Sequence, residues 1–151
     1  MSTVENVKSI LNEQVGAYRI LLDVLQRERE SLVHFNAPEV EALSKEKDTI
    51  VLKLRLLEEE RCRLIKMFAS ENHIAENVSL LRLTELTGDQ AFQRLRLQLV
   101  SLLQGIVEMN EFNRVLIERS SSMIRNALNF LGSFGVNHQS SNTGSLFSRE
   151  A

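Results

Sequence analysis

The chain has 151 residues, enough for one domain, and its 43% hydrophobic content suffices to build a core, which excludes a chain disordered throughout. One proline and six glycines leave too little turn chemistry for sandwiches, barrels or βαβ folds, so helix is the regular structure that the composition favours. A net charge of -2 and a pI near 6.0 supply no global basic field, which argues against nucleic acid or an anionic membrane as the default partner.

The first helix is predicted to start at a capping box, with Ser2 accepting from the amide three residues on and Glu5 reaching back to the amide of Ser2. A heptad begins at once. Its a positions are Val4, Leu11, Tyr18, Leu25 and Leu32, and its d positions are Val7, Gln14, Leu21, Glu28 and Phe35. Gln14 and Glu28 make the seam imperfect, while Val15 and Leu22 widen the stripe toward what a globular bundle needs. Asn36, Ala37, Pro38 and Glu39 then form a break, with Asn36 as N-cap and Pro38 in the first turn of the next helix.

Helix two is predicted over about 37–70, on an apolar register of Val40, Leu43, Ile50, Leu54, Leu57, Leu64 and Phe68 that Lys47 and Arg61 interrupt. The short turn makes helices one and two an antiparallel hairpin, roughly 50 Å long at 1.5 Å per residue. The pattern weakens from Ser70 to Gly88, where Val78, Leu80, Leu81, Leu83 and Leu86 mark one short helix. Thr87 or Asp89 then caps a third long helix. Its stripe is the most regular, with d positions Leu95, Leu102, Met109, Leu116, Met123 and Phe130. Asn113, at an a position, is expected to fix register through a buried hydrogen bond that Asn110 could join.

The fold class is therefore all-α: an elongated antiparallel bundle of three long helices with one short connecting helix and a flexible C-terminal tail. The bundle domain is assigned to residues 1–135, and the Gly-, Ser- and Asn-rich residues 136–151 to a disordered polar tail. The first residues lack a charged region followed by an apolar stretch. The most apolar segment, Leu95 to Val107, is broken by polar residues and falls short of the roughly 20 needed to span a bilayer. A cytoplasmic protein with no stable membrane insertion is expected.

No catalytic constellation emerges. His34, His73 and His138 lie in three different regions, none with a Cys, Asp or Glu at helical metal-ligand spacing that looks deliberate, and Cys62 sits between arginines and carboxylates whose effects on a thiol oppose each other. The chain is read as a non-enzyme without cofactor or metal. Charged runs such as Arg27 to Glu30 and Glu58 to Arg63 mix signs, as solvated helix faces do.

Helix lengths suggest where a partner binds. A third helix running back along a hairpin of about 33 residues exhausts it near Ser122, yet its pattern continues for about a dozen residues more, roughly 18 Å. Met123, Ile124, Leu128, Phe130, Leu131 and Phe134 then project past their cover, and an uncovered apolar stripe marks either a partner surface or a homodimer contact.

The order of parts resembles the FlgN-type flagellar export chaperones. The resemblance is carried by a long first helix, the run Leu54, Leu57, Glu58, Arg61, Leu64 in the second, the short segment Leu80, Leu81, Leu83, Leu86, and Asn110, Asn113, Leu116, Ile117 in the third. It implies a cytoplasmic chaperone for hook-associated proteins of the hook–filament junction, bound through their C-terminal helical segments, and docking at a cytoplasmic export-gate component. By position it places the client surface on Val115, Leu116, Met123, Ile124, Leu128, Leu131 and Phe134. The tyrosine near a glycine that such tails use for gate docking is absent here, where Phe134 beside Gly135, or Phe147, could substitute. The alternative reading is a homodimeric helical scaffold or adaptor with no export client, its stripe permanently buried.

Overall fold

The computed structural model describes residues 2–75 and 77–133. Among them there are four helices and no strand: α1 (Thr3–Val33), α2 (Ala37–Glu71), α3 (Leu80–Thr87) and α4 (Ala91–Gly132). Among the described residues no helix is long and apolar enough to cross a membrane. The tail expected at residues 136–151 lies outside the described residues.

Local chemistry accounts for each boundary. The Glu5 amide donates to Ser2 Oγ at 3.2 Å, which satisfies one of the unpaired donors at the start of α1. The Glu5 carboxylate takes Lys8 at 2.9 Å as its partner. Asn36 caps α2 by accepting from the Glu39 amide, Ser79 caps α3 by accepting from the Arg82 amide, and Asp89 Oδ1 accepts from the Ala91 amide at 2.9 Å to open α4. At the end of α1 the Asn36 amide reaches the Ser31 carbonyl at 2.9 Å, a Schellman closure that holds Phe35 in the left-handed region at φ 54°. Phe35 has therefore left the helix and is 57% exposed, so it does not occupy the last d position of the heptad. The end of α2 is built alike: the Ile74 amide donates to the Ala69 carbonyl and His73 sits at φ 56°. Gly88, at φ 68°, closes α3 where a side chain would be strained.

The chain forms two compact units. The first contains α1 as far as Leu22 together with Asp48–Ile106. Its core gathers Val7, Leu11 and Val15 of α1, Leu64, Ile65 and Phe68 of α2, Leu83 of α3, and Phe92, Leu95 and Leu99 of α4, with Val78 from the connecting segment. Leu83 and Phe92 are fully buried, so α3 is an integral wall of this core; each such side chain contributes roughly 1.5–3 kcal/mol. Thr3 bonds Glu71 and Gln14 bonds Glu58, which sets α1 antiparallel to α2 here. Lys8 bonds Asp89, and Gly105 lies against Leu22, which sets α1 parallel to α4. The polar d residue Gln14 is buried and donates to Glu58 at 2.9 Å, and Arg61 in turn holds that carboxylate.

The second unit contains Asp23–Lys47 and α4 from Val107 onward. Leu32, Val40 and Ile117 form its apolar cluster, with Leu116 and Ile124 packed against them. Arg27 pairs with Glu46 and Glu28 with Lys47, and farther along α1 Leu32 packs with Val40, so α1 and α2 run antiparallel here too. The other polar d residue, Glu28, is 0% exposed and bonds Lys47 Nζ at 2.8 Å. Asn113, also buried, donates both amide hydrogens, to the Leu25 carbonyl at 2.8 Å and to Glu28 Oε1 at 2.9 Å. In this unit Glu28, Lys47 and Asn113, which break the heptads, thus meet one another across the helices as a hydrogen-bonded layer. Asn113 makes the buried bond expected of it, whereas Asn110 is exposed.

Candidate functional site

The site develops from the register that this layer imposes. Asn113 lies beside Leu25 and Ile117 beside Leu32, so α1 and α4 run parallel in the second unit. From Leu25, α1 continues eight residues to Val33; from Asn113, α4 continues nineteen to Gly132. About eleven residues of α4, roughly 16 Å, therefore extend past the end of α1.

Burial follows the same limit. Asn113, Ile117 and Ser120 are buried at helical spacing, and the same face continues as Ile124, Leu128 and Leu131. Ile124 and Leu128 are half-buried, and Leu131 is 43% exposed. A second line, Phe112, Leu116, Met123 and Phe130, follows at spacings of four and seven residues along the adjacent edge. Met123 is 55% exposed and Phe130 63%.

Of the residues assigned to partner binding from sequence, Met123 and Leu131 are open, and Val115, Leu116, Ile124 and Leu128 are half-buried. Leu116 and Ile124 already pack on the second unit's cluster, so Ile124 is partly covered rather than bare. Phe134 lies outside the described residues. Phe112, half-exposed on the same edge as Met123, was not singled out by sequence; its spacing from Leu116 and Met123 is the signal that finds it.

Charge changes along this helix. Arg114 lies between Glu111, at 2.7 Å, and Glu118, and the Glu111 hydrogen bond is the first cause that holds its guanidinium above the usual range. The same bond lowers the Glu111 carboxyl. Past Glu118, the charged residues of α4 are Arg119 and Arg125, both exposed and neither paired with a carboxylate among the described residues. The rest of this end is uncharged, so docking an apolar partner desolvates few ions.

The other sequence candidates stay apart. His34 and His73 are exposed at the ends of α1 and α2, and His138 is outside the described residues. Cys62 Sγ approaches Glu58 and Arg61 only at 3.8 and 3.7 Å. Among the described residues no group of three or more His, Cys, Asp or Glu could hold a metal ion. In the first unit a cavity of about 280 Å³ is lined by Val4, Phe68 and Leu86 with Ser2, Thr3, Glu71, Asn72 and Thr87; its one carboxylate accepts from Thr3.

A family model described as FlgN protein matches residues 1–142 of the chain. No curated protein and no solved structure matches the chain.

Proposed function

Because the chain belongs to the FlgN family, a family of chaperones in flagellum biogenesis, we propose that it is a cytoplasmic type III export chaperone for hook-associated proteins. In this reading it binds the C-terminal helical segments of the hook–filament junction proteins, prevents their premature assembly and delivers them to the export gate. One observation supports this best: the apolar face of α4 runs on through Ile124, Leu128 and Leu131 after α1 has ended. A client segment that is unfolded alone can fold on such a face as an amphipathic helix, hiding the stripe through which it would otherwise assemble. The work is physical, and requires no nucleotide, metal or bond-making side chain.

The test is a pull-down of the full chain with the C-terminal segments of hook-associated proteins, followed by the double variant Leu128→Asp with Leu131→Asp. Binding should be abolished while helical circular dichroism stays near that of the parent. Unaltered binding would remove these residues from the client surface. A concentration-independent dimer that dissociates on truncation at Ser122 would favour the scaffold reading instead.

A further inference from the structure

The end of α4 offers an apolar face with charge on both of its edges. Arg119 stands four residues before Met123, on one edge, and Arg125 three residues before Leu128, on the other. Both guanidinium groups are exposed and have no carboxylate partner among the described residues. This differs from Arg114, which lies between Glu111 and Glu118. From Arg119 to Ser133 the sequence contains no Asp or Glu.

We infer that this surface is a cationic-edged seat for an amphipathic helix carrying acidic residues on both sides of its apolar stripe. The inference rests on the chaperone reading and names the chemistry of the segment that the chaperone selects. A helix laid on Met123, Ile124, Leu128 and Leu131 brings its own flanking positions beside Arg119 and Arg125, as the positions bordering a coiled-coil seam meet across it. Acidic flanks gain two charge pairs there, and basic flanks meet two like charges. The same arrangement disfavours a second copy of this chain on the face. Two such ends laid together would set arginine against arginine with no acid between them, whichever way they ran.

Exposed ion pairs are individually weak, so the discrimination is modest and depends on salt. The probes are three synthetic peptides with one leucine stripe, flanked by glutamate, glutamine or lysine. Titrated onto the full chain at low salt, the glutamate peptide should bind about tenfold more tightly than the lysine peptide, with glutamine between them. The three should converge near 1 M salt, where the screening length is about 3 Å. In Arg119→Gln with Arg125→Gln the order should vanish while the glutamine peptide keeps its affinity. Equal binding of all three to the parent, or an unchanged order in the variant, would overturn the inference, as would a stable dimer formed through this face. Hook-associated tails that bind while all three peptides fail would overturn it too and leave the chaperone reading standing. Peptides that bind in the expected order while every hook-associated tail fails would do the opposite.

Discussion

Replacing Lys47 with methionine removes the ammonium 2.8 Å from a glutamate that has no solvent exposure. At that separation, with an effective dielectric constant of about 20, the attraction is about 6 kcal/mol. Desolvation of the two ions, several kcal/mol each, offsets most of it. The pair is therefore near break-even as a whole and costly to break. Without the lysine, the Glu28 carboxylate keeps the Asn113 amide as a donor and loses the ammonium that lay 2.8 Å away. Losses for such half-pairs run to about 3–5 kcal/mol, and the lower end applies because the Lys47 side chain retains 17% exposure. For a chain of this length about 3 kcal/mol corresponds to a fall of roughly 6–12 °C in Tm. The double variant Glu28→Leu with Lys47→Met should recover all but about 1 kcal/mol, the remainder reflecting the acceptor that Asn113 loses. Urea unfolding followed by circular dichroism decides it. A loss below about 1 kcal/mol in Lys47→Met would mean that Glu28 is not a buried charge, and a double variant no better than the single would refute the desolvation argument.

Two further outcomes are expected. Gly16 lies inside α1, and a Cβ there would meet nothing within 4 Å, so Gly16→Ala should raise stability by about 1 kcal/mol, visible as a Tm higher by roughly 2–4 °C; an unchanged or lower Tm would contradict the open space. The Glu58 carboxyl is held below its ordinary value near 4.5, first by the Arg61 hydrogen bond and further by Gln14, against the opposing effect of burial. A depressed folded-state pKa gives stabilisation that is complete above the ordinary value and is lost as pH falls through the lower, folded one. Urea midpoints measured from about pH 6 to about pH 2 should therefore fall less steeply below 4.5 in Glu58→Gln than in the parent, and superimposable profiles would exclude Glu58 as a contributor.

Sequence was most informative where chemistry is local. Ser2, Asn36 and Asp89 each accept the helix-opening amide bond that their spacing suggests, and the stripes of α1 and α2 mark the faces that are buried, whereas on α4 only Leu95 of the d positions is buried and the covered line runs through Phe92, Leu99, Asn113 and Ser120. Phe35 was misplaced because a heptad count continues through a residue whose backbone has already turned left-handed, and nothing in a phenylalanine signals that. Gln14, Glu28, Lys47 and Arg61 read as flaws in separate seams. The meaning of Gln14, Glu28 and Lys47 lies in pairing between helices, which one helix's periodicity does not contain, while Arg61 holds, within α2, the carboxylate that Gln14 meets. The limit of cover on α4 was legible as a difference in helix lengths. The half-burial of Ile124 was not, because it depends on how Leu32, Val40 and Ile117 fill the end of the second unit.

The contact between Asn113 and Leu25 also works as a ruler. An amide that needs acceptors in a dry seam engages at one place, whereas leucines slide past one another with little change in energy. How far α4 reaches past α1 is thus set by the position of this asparagine as much as by where the helix stops. Moving the asparagine by one heptad along α4, with its acceptors on α1 left in place, would lengthen or shorten the projecting end by about 10 Å without adding or removing a residue. Such a shift would change how much of the α4 face lies uncovered while keeping the same helices.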